Sequence, residues 1–281
     1  MRTCTLSFLV VAAVMAAGMG WGRAAAPAPE ETKVVKPTEE EIKKAQGQIE
    51  AALKAVNGNF ARLQPITDEP VLRTFPKQLF FSVLFPQYPV ARVAPPGHSA
   101  SNVYAVPRGQ VGKPQLLADA SKLEAFFKSS LAGASDENKA KDAVRAWLLL
   151  ASVYSNDGFY KFVLMDEATK VSTEGGNRKA AGKMVVMAGG NGEIDGTVLL
   201  GEGGKLLSAS VVSKLKPGPR PICQATKLLD TDPIVRQMAE QDLLIMGRAA
   251  KPYLDEQRAK AGPELQRAID RVWQRIVEED R

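Results

Sequence analysis

The chain of 281 residues carries 45% hydrophobic and 24% charged residues and a formal charge of +6. This globular composition excludes wholesale disorder, and the length suffices for one large domain or two modest ones. A single histidine excludes a multi-histidine metal site. The basic excess lies in the middle, with 18 Lys and Arg against 12 Asp and Glu over residues 76–222. It is spread rather than clustered, so it reads as a solvated basic surface.

Residues 1–26 have the build of a cleaved export signal: Arg2, the apolar run LSFLVVAAVMAA (6–17), then the small residues Ala24, Ala25 and Ala26. The run is short for a membrane span, and no later segment is a spanning candidate. An exported protein, periplasmic or extracellular, is therefore expected. Cys4 precedes the apolar run and leaves with it, so Cys223 is the one cysteine of the mature chain. It cannot close an internal disulfide; it is either a buried thiol or a bridge to another chain.

Residues 27–75 read as a linker and an N-terminal helix. PAPEETKVVKP (27–37) is rich in proline and charge, and Thr38 with Glu41 three residues on forms a capping box. Ile42, Ala45, Ile49, Ala52, Leu53 and Val56 then recur on one helical face until Asn57-Gly58 ends it. Residues 59–76 show no clear period and are cut by Pro65, Pro70 and Pro76.

Residues 76–222 read as an α+β domain. KQLFFSVLF (77–85) and NVYAV (102–106) are strand-like, with an irregular proline-rich path between them. A second capping box, Ser121 with Glu124, opens a helix carrying Leu123, Phe126, Phe127 and Leu131. DENKAKDAVRAWLLLASVY (136–154) is the strongest helix, with an acidic first turn and an apolar stripe through Ala143, Val144, Trp147 and Leu148. Four strand-like runs follow at 159–165, 183–187, 193–200 and 205–215, and AGGNG and GEGG supply hairpin turns between the last three. A long helix followed by antiparallel strands predicts a sheet packed on that helix. In order and spacing this resembles the cystatin or NTF2-like arrangement.

Residues 223–281 read as helical throughout. Asp232-Pro233 opens one helix and Gly247 closes it, with Val235, Met238, Ala239, Leu243 and Met246 as its apolar positions. A second helix holds Pro252 in its first turn, and a third begins at Gly262-Pro263 and carries Leu265, Ala268, Ile269, Val272, Trp273 and Ile276. Trp273 is expected to be buried. Asp232, Pro233, Val235, Arg236, Ala239, Leu243, Met246 and Gly247, followed by Ala250, Pro252 and Leu254, resemble the HEAT-like repeat pattern over residues 230–277. As a whole, the chain resembles exported proteins of planctomycete-type bacteria that end in such a segment. These resemblances imply architecture and no reaction, and they make Asp232 and Arg236 structural.

Chemistry is sparse. Any Ser/His triad must run through His98, whose neighbours Ser99 and Ser101 are too close in sequence to be good nucleophiles, so His98 is expected in a surface loop. GGNGEIDG (189–196) has Ile194 where a calcium nonapeptide repeat requires an acid, so its glycines read as hairpin turns. Carboxylate pairs for glycoside hydrolysis can be assembled from Asp157, Asp166, Glu193 and Asp195. No phosphate loop or dinucleotide fingerprint occurs. The expectation is an exported, non-enzymatic interaction or scaffold protein with a protein partner and no nucleic acid, cofactor, metal or catalytic residue. The alternative is a hydrolase using the carboxylates of the middle domain.

Overall fold

Thr38 starts the first helix as its sequence requires. Its side chain accepts from the Glu41 backbone N–H, and the Glu41 carboxylate accepts from the Thr38 N–H, so two orphan donors are satisfied reciprocally. The computed structural model describes residues 34–58, 60–87, 93–109, 112–218, 220 and 224–279. The expected signal at 1–26, most of the linker, Cys4 and Cys223 lie outside the described residues. Helix α1 (Glu39–Ala55) turns Ala45, Ile49 and Leu53 inward.

The first sheet has the order β1 (Arg62–Ile66), β2 (Gln78–Leu84), β3 (Ser101–Pro107) and β4 (Gln115–Leu117), all antiparallel. Both its faces are covered. Leu79, Phe81, Val83, Tyr104 and Val106 point to α1, while the alternate residues Phe80, Val103 and Ala105 point to the helices beneath. This two-sided burial makes FFSVLF an apolar run broken only by Ser82, rather than an alternating one. The short helix α2 (Glu69–Thr74) links β1 to β2 and lays Val71 on the same inner core, which Phe75, just past its end, also enters.

Helix α3 (Ala120–Ser130) begins two residues earlier than expected. Asp119, not Ser121, is its N-cap and accepts from the Lys122 N–H at 2.8 Å. Helix α4 (Glu137–Ala151) is capped by Asp136 and nearly enclosed: Val144, Trp147, Leu148 and Leu150 are 0–1% exposed. A 3-10 turn (Ser152–Ser155) extends it. Phe75, Phe80, Phe126, Phe127 and Trp147 meet in the inner core, mostly edge to face with ring centroids 4.7–5.6 Å apart.

The second sheet lies on the other side of α4. Its order is β5 (Lys161–Leu164), β7 (Asn177–Ala188), β8 (Gly190–Leu200) and β9 (Leu206–Pro217), and β6 (Lys170–Glu174) pairs with the far half of β7. Its inner face carries Ala180, Met184, Ile194, Val198 and Leu200. Between them on the same face the glycine pair Gly182 and Gly196, in register across β7 and β8, leaves the gap that Leu148 fills. A Cβ on Gly196 would stand 2.6 Å from the Leu148 side chain. The protein is thus α+β, with two antiparallel sheets about a shared helix layer.

The chain ends in helices α5 (Pro233–Met246), α6 (Lys251–Lys260) and α7 (Pro263–Glu279). Asp232 caps α5, Gly247 closes it at φ 56°, and Pro252 sits in the first turn of α6, as the sequence requires. Ala239, Leu243, Met246, Tyr253, Leu254, Ala268, Ile269, Val272 and Ile276 form their core. Two expectations are corrected here. Trp273 is half-buried at the core's margin, with the Lys251 ammonium 5.2 Å from its ring centroid. Met238 points outward and is 53% exposed.

These helices are tied to the rest. Phe159, from the turn after α4, is part of their core. Arg62 on β1 forms an ion pair with Glu256 on α6. Val34–Arg281 accordingly constitute one compact unit.

Candidate interaction surface

The ionisable groups singled out in the sequence are all engaged. His98 is half-buried in its loop, with Nε2 2.8 Å from the Tyr104 hydroxyl and its ring edge-to-face on Phe85. Ser99 is exposed, and the Ser101 hydroxyl donates to the Asn156 carbonyl at 2.6 Å. Among the described residues neither serine hydroxyl is hydrogen-bonded to His98, whose Nε2 is engaged by the Tyr104 hydroxyl.

Of the four carboxylates, only two share a site. Glu193 and Asp195 stand on the outer face of β8, where Lys183 of β7 and Lys214 of β9 complete a square of charge with N–O distances of 2.7–3.8 Å. The hydrogen bond from Lys183 holds the Glu193 carboxyl below its ordinary range. A general acid for glycoside hydrolysis needs the opposite shift. Asp166 is 73% exposed beside Arg145.

Asp157 belongs to a clamp. Its Oδ2 accepts from Arg220 Nε at 2.7 Å, while Arg220 Nη1 donates to the carbonyls of Gly189 and Gly218. The guanidinium carbon lies 5.0 Å from the ring centroids of both Phe159 and Tyr160. The glycines of GGNGEIDG are needed for this close approach: Gly189 and Gly190 have φ of 81° and 155°, and a Cβ on Gly190 would sit 2.6 Å from the Tyr160 ring. Among the described residues, no three His, Cys, Asp or Glu side chains are grouped to hold a metal ion. No helix among them is long and apolar enough to cross a membrane.

Two shallow grooves mark the surface. One of about 180 Å³ lies between the start of α1 and the ends of β2 and β3. The other, about 230 Å³, runs between α6 and α7 beside Trp273 and is edged by the Arg258–Asp270 pair.

The feature that stands apart is α5, which has two apolar faces. Ala239, Leu243 and Met246 fill the helical core. Rotated away from them, Ile234, Met238 and Ile245 recur with Gln241 at i, i+4, i+11 and i+7, and the three apolar side chains are 65%, 53% and 53% exposed. Of the charged residues of α5, Arg236 and Glu240 lie away from this stripe, while Asp242, four residues after Met238 and three before Ile245, borders it. Arg236 bonds the carbonyls of Asp230 and Thr231, and Glu240 pairs with Arg275 of α7. Leu229, 44% exposed just before the helix, adds a further apolar side chain to this region of the surface. The signal was in the sequence as the spacing of Ile234, Met238 and Ile245, but placing Met238 in the core stripe concealed it. No family model, curated protein or solved structure matches the chain.

Proposed function

We propose that the protein is an exported, non-enzymatic interaction or scaffold protein whose C-terminal helices, a HEAT-like unit, present α5 to a protein partner. The observation that carries this reading is the exposed stripe of Ile234, Met238 and Ile245. A single exposed Leu or Ile is ordinary on a protein surface, whereas a helical row of three apolar side chains favours a contact face. The hydrolase reading gains nothing from carboxylates held beside lysines and arginines.

The test is affinity capture from the native envelope with the wild-type chain and with Met238→Glu. A co-purifying protein lost with the variant is the expected result; capture unaffected by Met238→Glu sinks the assignment of the face. In parallel, glycosidase, esterase and peptidase substrates are offered. Turnover abolished by Glu193→Ala would establish an enzyme instead. Glu193 is the better probe than Asp157, because Asp157→Ala also removes the partner of a guanidinium that is 7% exposed.

A further inference from the structure

We infer that Met238 is an oxidation-sensitive switch on the α5 face: it takes one oxygen from a peroxide, and the face is closed to its partner until that oxygen is removed. The inference rests on the interaction reading above and adds its regulation. An oxidant must reach the thioether sulfur, so burial sorts the methionines. Among the described residues, Met184 and Met246 are 2% and 6% exposed inside apolar cores, and Met165 is half-buried. Met187 on β7 and Met238 on α5 are 67% and 53% exposed. Of these two, Met238 is the one that stands in a helical row of exposed apolar side chains.

The step is a two-electron oxidation. A sulfur lone pair attacks one oxygen of hydrogen peroxide, and the S–O bond forms as the O–O bond breaks. The departing hydroxide takes the proton of the transferred oxygen and leaves as water. Sulfur is thereby oxidised to the sulfoxide and the peroxide reduced. Before the step, Met238 is an unbranched, apolar side chain between Ile234 and Ile245, adaptable enough to fit a contact surface. After it, the side chain is polar, and covering it without a hydrogen-bond partner weakens association by about tenfold or more. Met238 is outside the core that Met246 helps to fill, so the oxygen leaves the helices packed. Methionine sulfoxide reductases restore the thioether, which makes the change reversible.

The experiment treats the full chain with dilute hydrogen peroxide and follows each methionine by peptide mass spectrometry. Met238 and Met187 are expected to gain one oxygen at least about tenfold faster than Met184 and Met246, with an unchanged thermal melt. Envelope capture, with peroxide removed beforehand, then compares Met187→Leu with the double variant Met187→Leu, Met238→Leu, whose leucines stay apolar in peroxide. Oxidation is expected to abolish capture by the first and spare it in the second, and a methionine sulfoxide reductase to restore it. Met238 oxidised no faster than Met246, or capture lost equally in the double variant, overturns the switch. Capture that survives oxidation of Met238 but is abolished by Met238→Glu also overturns it, and leaves the interaction role standing. If neither oxidation nor Met238→Glu changes capture, or nothing is captured at all, the switch and the interaction face both fall.

Discussion

Glu41 closes the capping box of α1 and also receives Arg108, whose Nε and Nη2 donate to it at 2.9 and 3.1 Å. The Arg108 hydrogen bond, aided by the Thr38 N–H, lowers the Glu41 pKa from 4.5 to about 2. A depressed carboxylate pKa stabilises the folded state above the unfolded pKa and loses that contribution as pH falls through the folded one. Wild type should therefore be more stable than Glu41→Gln at neutral pH, with the gap closing between about 4.5 and about 2; denaturant titrations of both across that range check it. A second prediction concerns Gly196. Adding a methyl against Leu148, which has no room to retreat, should cost about 1–3 kcal/mol. The same Gly196→Ala change in a Leu148→Ala background should cost far less, and a double-mutant melt cycle showing simple additivity would refute the fit of side chain to glycine gap. Asp136, Asp119 and Asp232 each cap a helix with a side-chain oxygen. The start of α5 at Asp232-Pro233 was legible; the sequence placed Asp136 in the first turn of α4 rather than as its cap, and the cap of α3 was displaced because Ser121–Glu124 offered a competing box of the right spacing.

At the level of elements, legibility followed the strength of the local period. Helices α1, α4, α5, α6 and α7 and strands β2, β3, β8 and β9 lie where their patterns put them. Strand β1 escaped because it is a five-residue edge strand holding Pro65, which is tolerated at an edge, and α2 is only six residues long. Strand β6, KVSTE, is mostly exposed and has no apolar alternation to announce it. Strand β7 runs six residues further toward its N-terminus than the apolar KMVVM, because Gly182 and Ala180 face α4 with side chains too small to leave a hydrophobic signature. The candidate surface was less legible than the fold, since periodicity identifies apolar faces but not which one is covered. For α7 the consequence is measurable. Ile269 is 2% exposed, whereas Trp273 lies at the margin. Ile269→Ala should cost about 2–5 kcal/mol, and Trp273→Ala less, despite removing the larger side chain. Thermal melts of the two variants in the reverse order would contradict the placement of Trp273.

For the molecule as a whole, the question is whether α5–α7 are an appended arm or part of one cooperative structure. Phe159, which enters their core, is 5% exposed, and Arg220 stacks on its ring while bonding the turn that precedes it. A chain ending at residue 221 leaves Phe159 without those helices and Arg62 without Glu256. The uncovered phenylalanine alone should cost about 1.5–3 kcal/mol. We expect a single calorimetric transition for the full chain and a lower melting temperature, or proteolysis, for the truncated one. A truncated chain melting at an unshifted temperature would make the helices an independent module.

The Arg62–Glu256 pair joins positions 194 residues apart. At synthesis rates of about 5–20 residues per second, Glu256 is made about 10–40 s after Arg62. Throughout that interval the phenylalanine at 159, once made, has no core to enter. Contacts so distant in sequence form late and slowly, because loop closure must precede them. The arrival of α5–α7 therefore closes a unit whose earlier parts are already made. Until then it is held in waiting, with its first sheet made and its last hydrophobic seam open.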